Sequence, residues 1–205
     1  LPVLLALHWG IAWAVSDAAL WVIFLAAFVP GQLLIHSAGG LVHETAHKLI
    51  FRGNRAKLGF DMGLEWILGS YGKQLIYQHE HITSHHPYIG DYERDYEHED
   101  ICAFQSRMML RSENPRLQHL LTGLTLLVHL LPLGPIIGDE IFPRLNAWLT
   151  GRPQKDPERH VEATSAPLWQ KRLFIGVSLA SNLTLLALFG PWALLYHLWS
   201  LSLFL

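Results

Sequence analysis

AALWVIFLAAFVPGQLLIHSAGGLVHETAHKLI, residues 18–50, runs 33 residues with no charged side chain before Glu44 and ends on the polar segment HETAHK, His43–Lys48. At about 1.5 Å per residue a helix of this length reaches roughly 50 Å, against approximately 30 Å of bilayer hydrocarbon. The stretch therefore predicts a membrane helix that emerges from the bilayer, bends near Pro30-Gly31 and carries its histidines on the emergent end. Positions four apart share a helix face, so His43 and His47 form a two-toothed clamp.

Outward from that helix, the composition agrees. The chain has 205 residues, of which 51% are hydrophobic and 16% charged, with eight Trp and a mean hydropathy of +0.23, too apolar for an ordinary soluble domain of this length. Residues 1–47 and 173–205 contain no Lys or Arg, so all fifteen lie between Lys48 and Arg172. The positive-inside tendency places that block on the cytoplasmic side. The single cysteine, Cys102, excludes an internal disulfide. No signal peptide is legible, and nothing reads as a nucleic-acid interface.

Taken in order, residues 3–15 read as the end of a first membrane helix and Ser16-Asp17 as an outer turn. Residues 51–73 alternate basic and aromatic side chains with glycines and read as one or two amphipathic helices on the membrane surface. An acidic run, Asp91–Asp100, reads as a solvated loop, followed by basic residues around Arg107, Arg111 and Arg116. Residues 117–137 are apolar, yet a single crossing would put Arg144 to Arg172 outside, and Pro132 and Pro135 favour a re-entrant or interfacial hairpin. Residues 151–167 read as a cytoplasmic loop, 173–189 as a span, Gly190-Pro191 as an outer turn and 192–205 as an inward return. The expectation is one all-α, polytopic membrane domain over 1–205, with about four transmembrane helices and the histidine-rich region between the second and third. Because the chain starts without Met inside one apolar run and stops inside another, it reads as a fragment of a longer protein.

Six of the thirteen histidines fall between His43 and His86. On an α-helix His81 and His85 form a second clamp, with His86 about 100° round from His85. Five imidazoles from two helices exceed the needs of one zinc site, whereas a pair of iron ions would use them. His79 is a candidate ligand read more simply as a polar neighbour. His36, one turn above the first box, reads as a hydrogen-bonded helix histidine. His8, His119, His129, His160 and His197 have no partner at ligand spacing and read as structural.

These segments resemble the membrane fatty-acid desaturase and hydroxylase superfamily, and within it most nearly the sphingolipid (dihydroceramide) Δ4-desaturases. HSAGGLVHETAHK, His36–Lys48, is similar to that family's HSxxxxxHExxHN, and the His-His pair follows His43 by 42 residues. HHPYIGDYERD carries HHxYxG and an Asp five residues beyond the Gly, here Asp95. One departure is in the second box: the family pattern HxxHH is replaced by HxxxHH at His81, His85 and His86, a spacing similar to that of membrane alkane hydroxylases. The other is that the third histidine box is missing. The resemblance implies two iron ions, held in part by His43, His47, His81, His85 and His86, that use O₂ to desaturate a lipid acyl or sphingoid chain, or alternatively to hydroxylate it. It implies Glu44 and Asp95 as partners that orient ligands, and an external electron donor such as ferredoxin or cytochrome b5. An alternative of another class rests on HExxH alone: an intramembrane zinc metalloprotease with His43 and His47 on zinc and Glu44 as general base.

Overall fold

A computed structural model describes residues 1–91, 94–95, 110, 112–132, 134, 141–142, 144–148 and 166–202. The readings made for Cys102, Arg107, Arg111, His160, most of the acidic run and the loop from 151 fall outside the described residues. Among those described, every regular element is helical, as the composition and apolar periodicity lead one to expect.

Helix α1, Pro2–Ala14, opens with proline in its first turn, where the missing N–H has no intrahelical partner to lose. It is followed by a turn in which the Ser16 hydroxyl donates to the Trp13 carbonyl at 2.7 Å. The polypeptide then enters α2, Leu20–Ala26, a π-helical turn Ala27–Gly31, and α3, Gln32–Ala46. Pro30 sits inside the π turn, where the N–H of Gln32 reaches back to the carbonyl of Ala27. A proline has no N–H and its ring crowds the carbonyl four residues back, so the wider turn accommodates it without breaking the helix. A π turn stands where a bend was expected at Pro30-Gly31.

The 27-residue run Leu20–Ala46 is long and apolar enough to cross a membrane. It stops four residues short of the expected end near Ile50, for a local reason. Lys48 adopts a left-handed φ of 56°, the N–H of Leu49 bonds to the carbonyl of Glu44 at 3.1 Å, and that of Lys48 bonds to Thr45 at 3.0 Å. This paired capping pattern closes the helix at His47.

Helix α4, Asn54–Leu68, follows and ends at Gly69, in the left-handed region at φ 56°. Its buried face, including Asp61, Leu64, Glu65 and Ile67, packs on α3 and on the last helix, so the segment expected to lie on a membrane surface is integrated into the bundle. Helix α5, Lys73–Glu80, runs into a second π turn, His81–His85, and a final turn, His86–Tyr88. Helix α6, Pro115–His129, is capped by Asn114, whose side-chain oxygen accepts from the N–H groups of Arg116 and Leu117. Its 15 residues cover about 22 Å, short of a crossing.

The last element, α7, Leu168–Ser200, is the second helix long and apolar enough to span, but it is not straight. Gly190 has φ 83° and ψ −177°, and Pro191 follows. Asn182 and His197 would lie about 22 Å apart along a continuous helix, yet side-chain atoms of both lie within 3.8 Å of the position a β-carbon on Gly69 would occupy. The chain therefore doubles back at Gly190, where the sequence placed a turn. Leu185 of one limb and Ala193 and Tyr196 of the other share a core with Ala12, Ile23 and Ala27.

A buried carboxylate ties this hairpin to α4 and α5. Glu65, fully buried, accepts from the Ser70 hydroxyl at 2.7 Å, the Gly72 N–H at 2.9 Å and the Gln74 amide at 2.6 Å, and from the Ser178 hydroxyl of α7. Orphaning a buried donor costs about 1–3 kcal/mol, so the four together fix the α4–α5 turn.

The π turn and α7 approach closely at Gly31, where a β-carbon would collide with the Ser200 side chain. Gly31→Val should lower stability by about 1–3 kcal/mol through overpacking, read as a lower unfolding midpoint in detergent, and Ser200→Gly should restore part of it. An unchanged midpoint would contradict this packing.

Candidate metal centre

The first histidine pair is delivered by the end of α3. His43 occupies its last turn and His47 its C-cap, and their ring centroids are 4.7 Å apart. The Nδ1 of His43 lies 3.2 Å from a carboxylate oxygen of Glu44. A neutral ring donating from Nδ1 carries its lone pair on Nε2, the form a metal needs.

The second group arises from α5 and its π turn. In an α-helix residues five apart are separated by about 140°, which would turn His81 and His86 away from each other. Here the N–H of His86 bonds to the carbonyl of His81, so residue i+5 stands above residue i as i+4 does in an α-helix. The Nε2 atoms of His81 and His86 are consequently 3.1 Å apart. The α-helical reading paired His81 with His85 and set His86 apart; the π turn brings His86 to His81. His85 lies alongside, its ring stacked on that of His81 at 5.3 Å.

His85 is held from the other side. Its Nδ1 donates to Asp95 at 2.9 Å, and Asp95, itself buried, also accepts from the Gly90 N–H at 2.9 Å. Gly90 has φ 83°, the left-handed conformation that turns the chain back after HHPYI. Of the acidic run read as a solvated loop, at least Asp95 thus has an orienting role toward a histidine.

The two groups meet. Nε2 of His47 lies 3.1 Å from Nε2 of His81, and ligand nitrogens of His43, His47 and His81 all fall within 4.8 Å of one another. His81 is buried, His43, His47 and His85 are partly buried, and His86 is exposed. This geometry tests whether a metal fits. A ring nitrogen has one in-plane lone pair or one hydrogen, so Nε2 of His81 cannot make linear hydrogen bonds to both His47 and His86. Two nitrogens on one ion, each at 2.0–2.1 Å, are about 3.0–3.4 Å apart, and the 3.1 Å separations lie in that interval. Neutral imidazoles suit iron, zinc, copper or nickel, and the donor set fits a transition metal without choosing among them.

Electrostatics favour the neutral form at His47. Its pKa is lowered from the usual imidazole value, first by desolvation and then by His43, His86 and His81, against an opposing effect of Glu44. Since protons and metal compete for the same lone pair, a lowered value keeps His47 ready to bind at neutral pH.

A polar junction not singled out in the sequence sets the distance between the groups. Gln78 of α5 donates to the Thr45 hydroxyl of α3 at 3.0 Å and to Asp61 of α4 at 3.3 Å. Lys57 bridges Asp61 at 2.5 Å and the Gln78 carbonyl oxygen at 2.7 Å. The i,i+4 spacing of Lys57 and Asp61 was the one local signal available. Tyr77 stacks on His81 at 5.2 Å. His79 stands outside the cluster, with its carbonyl accepting from Thr83 at 2.8 Å. Among the remaining histidines, His36 and His119 are exposed, His129 contacts the Thr125 carbonyl at 2.8 Å, and His8 pairs with His197.

Comparison of the chain with family models, with curated proteins and with solved structures yields no match.

The π turn holds one residue more than an α-helical turn. Deleting Thr83 converts HxxxHH to HxxHH and should relax 81–86 to α-helix, with His86 then four residues from His81 and on the same face. Metal affinity, measured by competition with a chromogenic chelator, should stay within about tenfold of wild type, the low end of what a disturbed supporting contact costs. Deleting Leu75 in α5, which rotates the whole histidine group, should abolish binding. Equal loss in both deletions would contradict the role assigned to the π turn.

Proposed function

We propose that this chain is a membrane-embedded, O₂-dependent lipid oxidoreductase of the histidine-box type, in which His43, His47, His81, His85 and His86 contribute to holding two iron ions. The observation that carries this reading is the convergence of His47 and His86 on His81 at 3.1 Å, at the end of a helix long enough to span a bilayer. Desaturation of an acyl or sphingoid chain is the reaction adopted, because the His36–Lys48 and His85–Asp95 segments resemble those of Δ4-desaturases. Hydroxylation of a lipid or alkane is the alternative within the same chemistry. In this reading about four helices cross the membrane and the histidine boxes face the cytoplasm.

When bound, the iron pair supplies O₂ activation and hydrogen abstraction from an unactivated C–H bond. The chain's own residues do the rest. His43 and His47 bind from α3, and His81, His85 and His86 bind from the π turn. Asp95 fixes the ring of His85 and Glu44 that of His43, each by accepting a hydrogen bond from Nδ1–H, which leaves the lone pair on Nε2. Apolar faces of α3 and α7 deliver a lipid chain from the bilayer side. Electrons come from a separate carrier such as ferredoxin or cytochrome b5, and exposed Lys48, Arg52 and Arg55, immediately beyond His47, suit an acidic donor surface.

One observation favours a second reading. The trio His43, His47 and His81, with Glu44 beside it, also has the ligand count of a catalytic zinc site in an HExxH hydrolase. That reading leaves His85, its Asp95 contact and His86 without a role.

Metal content and lipid products separate the two. The protein purified with its full natural chain should carry two irons; His81→Ala should lose them, and His85→Ala should lose iron and lipid oxidation together, while Glu44→Gln keeps most of the metal. One zinc per chain, indifferent to His85→Ala, with a peptidase activity abolished by Glu44→Gln, would establish the hydrolase instead.

A further inference from the structure

A second polar system lies among the apolar helices, away from the histidine cluster and independent of the metal reading. The hydroxyl of Tyr196 is 3.2 Å from Nδ1 of His8, and Nε2 of His8 is 2.9 Å from Nδ1 of His197. All three residues are fully buried. On the far side, the amide nitrogen of Asn182 donates to the hydroxyl of Tyr71 at 2.6 Å, and Tyr71 is 37% exposed.

This chain of groups has one break. Nε2 of His197 and Oδ1 of Asn182 are both buried, and neither finds a hydrogen-bond partner among the described residues. Both border Gly69, where a β-carbon would stand 2.8 Å from the nitrogen and 3.8 Å from the oxygen. Gly69 lies in the left-handed region and presents only hydrogen to that space.

The tautomers define what can fill the break. If Tyr196 donates to His8, then Nε2–H of His8 donates to His197, and Nε2 of His197 carries a hydrogen that must be accepted. If His8 donates to Tyr196 instead, then Nδ1–H of His197 donates to His8, and Nε2 of His197 must accept. Oδ1 of Asn182 accepts in either case, because its nitrogen is engaged with Tyr71. A molecule that serves both states must accept and donate, or donate twice, and must be small. Water meets each requirement, and buried polar groups that no protein group reaches are satisfied by water in native proteins.

We propose that one water molecule is bound at Gly69 between His197 and Asn182, completing a hydrogen-bonded chain from Tyr71 through Asn182, His197 and His8 to Tyr196.

Water-edited solid-state NMR of ¹⁵N-histidine-labelled protein in lipid bilayers tests this, with the His197 signal assigned by its loss in His197→Phe. Polarisation should pass from water to Nε2 of His197 in the wild type. It should fall severalfold in Asn182→Leu, which removes the acceptor, and in Gly69→Ala, which fills the space, while the coupling across the His8–His197 hydrogen bond persists. Either folded site variant suffices for the comparison. A dry His197 in the wild type, or transfer undiminished in Asn182→Leu, would overturn the proposal.

Discussion

The 3.1 Å approach of Nε2 of His47 to Nε2 of His81 joins the end of α3 to the π turn that follows α5. Neutral imidazoles attract each other weakly, so the approach must be enforced from outside. Three devices enforce it. The capping turn at Lys48 stops α3 with His47 at its end. The Thr45–Gln78–Asp61–Lys57 junction fixes α5 against α3 and α4. The buried carboxylate of Glu65 fixes the turn from which α5 starts, and so the origin of the helix that carries His81.

The two π turns solve related problems. At Pro30 the wider turn absorbs a residue that cannot donate to the helix ladder, so α2 and α3 remain one continuous rod. At His81–His85 it absorbs a residue that would otherwise throw His86 off the site. The HxxxHH spacing thus brings its first and last histidines together through a change in helical pitch.

Much of this was legible in the sequence, and the limits have physical causes. The long apolar run, a helix irregularity at Pro30, the break at Gly190-Pro191 and the pairing of His43 with His47 follow from composition, proline geometry and α-helical periodicity. The link between His81 and His86 did not follow, because 100° per residue is the wrong period for a π turn, and its sequence signature is weak. Asp95 was legible only through resemblance. The union of His8 with His197, 189 residues apart, was invisible because ligand spacing was sought locally. Glu65 lies in the stretch 51–73 read as surface-bound and Gln78 just beyond it, and only the packing of α4 and α5 against the other helices reveals both as connectors.

The central claim is that the histidines of α3 and of the π turn converge on metal. Anomalous diffraction at the iron edge from crystals of the iron-loaded protein addresses it most directly. The account predicts two peaks inside the cluster, one of them within bonding distance of Nε2 of His47, His81 and His86. A single peak bound by His43 and His47 alone, with His81, His85 and His86 outside its coordination, would contradict it.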